Sequence, residues 1–196
     1  MKLSFTEQSK RSFLKFLFAP LIINFIIELC SRRNLLDTFG YIFGSPLVFL
    51  YNSLIILSTL SIVLLFKRRT FFFTLITTIW IGFGVTNGII LSNRVTPFTA
   101  TDLTLAEFGL GIISKYLSPF MTSLIVLVIG IVILFFKGPK FKEKINYKRN
   151  ILIVAAAWTI LFGSTKLAIT TNVISSYFGN IAFAYLDYGF PYCFAN

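Results

Sequence analysis

Long apolar runs separated by short charged stretches set the pattern of this chain. A hydrocarbon layer about 30 Å thick needs roughly 20 apolar residues in helical geometry. Five runs come close to that length: Phe13–Leu29, Ile42–Phe66, Phe71–Leu91, Pro119–Phe136 and Ile151–Ile169. The pattern therefore predicts an all-α integral membrane protein of five transmembrane helices. The first run follows Lys2, Lys10 and Arg11 as a signal peptide would. Glu28, Cys30, Arg32 and Arg33 come after it instead of a small-residue cleavage site, so it reads as a retained helix.

Between the third and fourth runs, Pro97 pushes Thr96 toward an extended backbone, Thr101 can cap a short helix, and Thr104 with Glu107 matches a capping box. Leu103, Leu105, Ala106, Phe108, Leu110, Ile112 and Ile113 give that helix an apolar surface suited to the membrane interface. After the fifth run, residues 172–196 are dense in Tyr and Phe, as chain at headgroup level is. The expected division is a five-helix membrane domain over 1–171 and an extracellular aromatic segment over 172–196. Small residues mark expected helix contacts: Gly84 and Gly88, with Gly82 beside them, on the third helix, and Ala155, Thr159 and Gly163 on the fifth.

Composition agrees with this class. Of 196 residues, 56% are hydrophobic, 17% aromatic and only 13% charged, too apolar for a soluble domain of this size. Charge then orients the chain, because Lys and Arg are retained in cytoplasmic loops. With the N-terminus inside, Lys2, Lys10, Arg11, Lys15, Lys67, Arg68, Arg69, Lys137, Lys140, Lys142, Lys144, Lys148 and Arg149 are cytoplasmic. Arg32, Arg33, Arg94, Lys115 and Lys166 fall outside, as do Glu28, Asp37, Asp102, Glu107 and Asp187. The C-terminus is then external. The net charge of +11 sits in short juxtamembrane loops, including the basic hairpin Lys137–Asn150, which suits anionic lipid headgroups; no nucleic-acid motif accompanies it. Cys30 and Cys193 fall on the outer side, where a disulfide is open to them, and read as two free thiols.

Candidate chemistry is sparse. The chain has no histidine, no metal-ligand spacing, no phosphate loop and no nucleophile motif, so no catalytic residue and no metal ligand is expected in it. What remains is a set of ionisable groups near the outer surface. Arg94, with Asn93 and Thr96 beside it, and Arg32 with Arg33, are candidates for holding a lipid phosphate, since a guanidinium presents a forked donor array. The competing role for Arg94 is to pair with Asp102 and fold the loop. Glu28 and Lys166, at similar depth on the first and fifth helices, either form an interhelical ion pair or snorkel independently to the interface.

Three segments carry a resemblance: Ile27-Glu28-Leu29-Cys30-Ser31-Arg32-Arg33, Arg94-Val95-Thr96-Pro97 with Asp102-Leu103, and Asp187-Tyr188-Gly189-Phe190-Pro191-Tyr192-Cys193-Phe194. In this order on a five-span framework, the chain resembles the N-terminal membrane domain of the lipoteichoic acid synthase family of Gram-positive bacteria, in the alkaline-phosphatase and sulfatase superfamily. The resemblance implies a multi-pass protein of the bacterial cell membrane that takes part in cell wall biogenesis. It implies a transferase whose extracellular catalytic domain, with manganese and a threonine nucleophile, moves glycerol phosphate from phosphatidylglycerol to a growing polymer. The residues stop where the linker to that domain would begin, so the expected role here is anchoring and lipid presentation. A free-standing scaffold, or a transporter of lipid or small solute, is the alternative. An odd number of spans without internal repeats weighs against the transporter.

Overall fold

The computed structural model describes residues 2–104 and 146–195, with side chains from Phe16 onward in the first helix. The described residues are helical, without strands. The helices are α1 (Lys2–Arg32), α2 (Leu35–Gly44), α3 (Pro46–Ser61, prolonged by a 3₁₀ turn over Ile62–Leu65), α4 (Arg69–Leu91), α5 (Ala100–Thr104), α6 (Tyr147–Thr170), α7 (Ile181–Tyr188) and α8 (Phe190–Ala195). Among the described residues, three stretches are long and apolar enough to cross a membrane: Pro46–Leu65, Arg69–Leu91 and Tyr147–Thr170. The first expected span, Phe13–Leu29, lies within α1. The fourth, Pro119–Phe136, lies outside the described residues, as do most of the basic hairpin and the interfacial helix beyond Thr104.

The second expected span is corrected at its start. Chain that reads as continuously apolar from Ile42 breaks at Ser45, because Pro46 lacks an N–H and its ring disfavours helical backbone at the residue before it. Ser45 adopts φ −134°, ψ 60°, and Pro46 opens α3 at a position where no donor is needed. Upstream, Asn34 caps α2 by accepting from the Leu36 amide at 2.9 Å, so α2 is a separate ten-residue helix.

α1 packs between α3 and α4, and α6 lies against α3. Small side chains and polar bonds hold these contacts, as expected where hydrophobic burial alone does not favour protein over lipid. A Cβ on Gly84 would stand 3.0 Å from the Ile27 backbone, and one on Gly88 would collide with the Cys30 carbonyl, so these glycines seat α4 on α1. Asn24 of α1 donates to the Phe49 carbonyl at 3.0 Å and to Ser53 Oγ at 3.1 Å on α3. Trp80 Nε1 of α4 donates to Thr59 Oγ1 of α3 at 2.9 Å. Tyr51 and Thr165 share a hydroxyl contact of 2.7 Å between α3 and α6, and Asn150 donates to the Leu64 carbonyl at 2.8 Å. The small-residue stripe expected to pack on the fifth helix does not meet a described partner. Ala155, Thr159 and Gly163 are exposed among the described residues, and α6 instead turns Ala157, Leu161 and Thr165 toward α3.

The aromatic tail packs into the protein. Ile174, Tyr185, Phe190, Tyr192 and Cys193 are buried in one cluster with Ile27, Tyr41, Ile55 and Trp80. Tyr192 meets Tyr51 edge-on at 5.6 Å between ring centroids, and Phe194 stacks on Phe98 at 5.6 Å. The segment 172–195 thus packs onto the core formed by α1, α3 and α4. Both cysteines are free thiols.

Candidate functional site

A buried polar clamp joins α1, α2 and α3 to the tail. Glu28, fully enclosed in the last turns of α1, accepts the Phe190 amide through Oε1 at 2.7 Å and Arg32 Nε through Oε2 at 3.1 Å. A carboxylate removed from water is tolerated only when its charge and lone pairs are satisfied this way. Asn52, fully buried on α3, donates to Tyr41 Oη at 2.9 Å and to the Tyr188 carbonyl at 2.6 Å, and accepts the Tyr192 amide at 2.8 Å. Between these two side chains runs Gly189, at φ 74°, ψ 172°. A Cβ there would meet Tyr41 Oη, Asn52 Nδ2 and Glu28 Oε1, so only glycine passes.

Above the clamp opens a cleft of about 1070 Å³, walled by the end of α1, by α2, by the chain leaving α4 and by α7. Arg32, Arg33, Asn93 and Arg94 all line it, with Asp37 on the α2 wall. Arg32 lies with its guanidinium carbon 4.2 Å from the Tyr41 ring centroid and donates to the Leu186 carbonyl at 3.0 Å. Arg33 closes α1 in the left-handed region, φ 55°, with its N–H on the Leu29 carbonyl at 2.8 Å. Its Nη1 donates to Ser92 Oγ at 2.6 Å, and among the described residues no carboxylate pairs with it. Asn93 donates to the Ile89 carbonyl at 2.9 Å, which ties it to the end of α4.

Arg94 is committed to its own loop. Its Nε donates to the Thr96 carbonyl and its Nη2 to the Pro97 carbonyl, both at 3.1 Å, and Nη2 reaches Asp102 Oδ2 at 2.6 Å. Asp102 also accepts the Thr99 amide at 2.8 Å and the Thr99 hydroxyl at 3.1 Å. α5 therefore starts directly after Thr99, whose amide and hydroxyl both donate to Asp102, and Thr101 lies inside the helix instead of capping it; Glu107 lies outside the described residues. Burial pushes the Asp102 carboxyl up, but the bonds from Arg94 and Thr99 outweigh it and hold the group below its ordinary value. Thr96 does not line the cleft, and contributes its carbonyl to Arg94 instead.

The expected pair between Glu28 and Lys166 is not formed. Both Glu28 oxygens are occupied, one by an arginine a single turn away on the same helix, while Lys166 is exposed on α6, which packs chiefly on α3. Sequence reasoning passed over Tyr41, Asn52 and Gly189. The available signal was Asn52, an amide in the middle of an apolar run, where a polar side chain must find partners. No family model, curated protein or solved structure matches the chain.

Proposed function

We propose that this chain is a five-span membrane domain, N-terminus cytoplasmic and tail outside, whose arginine cleft holds the phosphate of an anionic phospholipid in the outer leaflet. On this reading it is the membrane part of a lipoteichoic acid synthase-type glycerol phosphate transferase, and phosphatidylglycerol is the lipid it presents. The observation that carries the proposal is Arg33: a guanidinium without a described carboxylate partner, in a cleft it shares with Arg32, Arg94 and Asn93. Two of the three segments behind the family resemblance line this cleft, the first through Arg32 and Arg33 and the second through Arg94, while Tyr188, Phe190 and Tyr192 of the third are held by Glu28 and Asn52 in the clamp.

The work of these residues is binding and orientation. Arg32 and Arg94 already answer Glu28 and Asp102, which fixes their planes and leaves Arg33 as the cleft arginine without a carboxylate partner among the described residues. Among the described residues no three His, Cys, Asp or Glu side chains gather into a metal-ligand set. Manganese belongs, in this reading, to the extracellular catalytic domain.

Native mass spectrometry of the purified chain titrated with phosphatidylglycerol and phosphatidylcholine tests the proposal. Phosphatidylglycerol should bind more tightly, and Arg33→Ala should weaken it by up to about tenfold, with Arg33→Lys in between. Equal affinity for the two lipids, or unchanged binding by Arg33→Ala, would overturn it. A reading frame that continues past Asn196 into a sulfatase-type domain supports the synthase assignment, and a stop codon there argues for the free-standing scaffold.

A further inference from the structure

The exposed face of α2 has no role in the cleft or the clamp. Leu36 is 80% exposed and Phe43 79%, with Phe39 between them on the same side. Thr38 and Tyr41, opposite, are the residues α2 buries against the protein. Three large apolar side chains held outward on one short helix are unusual at a water-facing surface. The face is also not isolated. Phe39 meets Phe25 of α1 at 5.7 Å and stacks on Phe43 at 6.2 Å. Leu47 and Leu50 of α3, which Pro46 starts directly after α2, are exposed as well. The polar side of α2 lies elsewhere, with Asp37 on the cleft wall.

We infer that α2 is a half-membrane helix, embedded by its Leu36–Phe39–Phe43 face in the acyl chains just beneath the headgroups, so that one wall of the cleft is set at headgroup depth. Ten residues at 1.5 Å each make about 15 Å, half of the roughly 30 Å hydrocarbon layer, so α2 can lie in or dip into one leaflet but cannot cross. Its backbone bonds are internal, and Asn34 answers the Leu36 amide at its start, so its backbone tolerates lipid contact. Lipid is the occupant to which the geometry points, because α2 leads through Pro46 directly into a helix long and apolar enough to span a membrane, whose Leu47 and Leu50 are also outward. The inference rests on the membrane reading, and its test separates the two.

Leu36→Trp and Phe43→Trp, both at strongly exposed positions, are reconstituted in phosphatidylcholine–phosphatidylglycerol vesicles whose acyl chains carry bromine either near the headgroup or near the terminal methyl. The parent chain supplies the baseline from Trp80 on α4 and Trp158 on α6. Each variant should lose a larger fraction of its emission than the parent does to headgroup-proximal bromine, with a smaller extra loss to the distal probe. An added tryptophan quenched by aqueous iodide and not by bromine, while the parent is quenched by bromine, would overturn the inference alone. A parent indifferent to both brominated lipids would overturn the membrane reading together with it. Added emission that ignores bromine and iodide, in a chain that crosslinks to a second copy, would place a protein contact on α2 and also overturn it. The unsubstituted chain gives an independent reading, since a phospholipid with a diazirine near its acyl carbonyl should label residues 35–44. Labelling of α6 without labelling of α2 would refute the proposal irrespective of how the tryptophan variants fold.

Discussion

Gly189→Ala probes the clamp with a single methyl group. At φ 74°, ψ 172° the backbone lies in a region almost reserved for glycine, where an L-residue costs about 1–3 kcal/mol. The new Cβ would also lie 2.7 Å from Asn52 Nδ2 and 2.8 Å from Glu28 Oε1, closer than carbon approaches either atom. Moving these side chains weakens at least one of the bonds to Tyr188, Phe190 and Tyr192, and each buried group left without a partner costs about 1–3 kcal/mol. The total is about 2–6 kcal/mol against tail docking, and even the lower limit raises the undocked population by about thirtyfold. Amide hydrogen exchange in detergent reads this directly at Phe190 and Tyr192. Both should exchange at least tenfold faster in the variant, while amides in the middle of α4 keep their parental rates. Unchanged protection at Phe190 and Tyr192 would refute the argument that the glycine is required by the groups around it.

Three further outcomes follow from the same geometry. Gly88→Ala should lower thermal stability by about 1–3 kcal/mol, because the methyl meets the Cys30 backbone, whereas Gly82→Ala, with open space around it, should be neutral or raise it by up to about 1 kcal/mol in the same melting assay. Glu28→Gln leaves Arg32 without its charge partner and should cost about 3 kcal/mol; a double-mutant cycle with Arg32→Gln should return a coupling above about 1 kcal/mol in the same assay. Asp102, held below its ordinary value, contributes loop stability that is fully present above about pH 4 and is lost as pH falls through the depressed folded-state value. Limited proteolysis of the segment after α4 should therefore be flat near neutrality and rise only under acid, and Asp102→Asn should abolish that dependence.

The parts legible in the sequence are those governed by near neighbours. Hydropathy ended α4 at Leu91, glycines four apart marked its contact face though not the helix that meets it, and Arg94 and Asp102 were close enough in sequence for their pairing to be weighed. The break at Ser45 was obscured because every residue around it is apolar, although Pro46 carried the signal. The inward packing of the tail was hidden for a different reason. Aromatic side chains look the same to a hydropathy reading whether lipid or protein covers them, and only the fold turns Tyr185, Phe190 and Tyr192 inward. The clamp was least legible, since Glu28 meets Phe190 across 162 residues and Asn52 meets Tyr192 across 140. A local pattern shows that Glu28 and Asn52 need partners, but not which backbone supplies them.

The central claim is that the arginine cleft opens on the outer side of a membrane, and the sidedness of the chain tests it most directly. Single cysteines are placed at Asn180, on the cleft wall, and at Lys142, in the basic hairpin, with the labelling of native Cys30 and Cys193 as background. A membrane-impermeant maleimide should label position 180 in intact cells and position 142 only after permeabilisation. Labelling of position 142 in intact cells, with position 180 protected until the membrane is opened, would invert the topology and contradict an outer-leaflet lipid site.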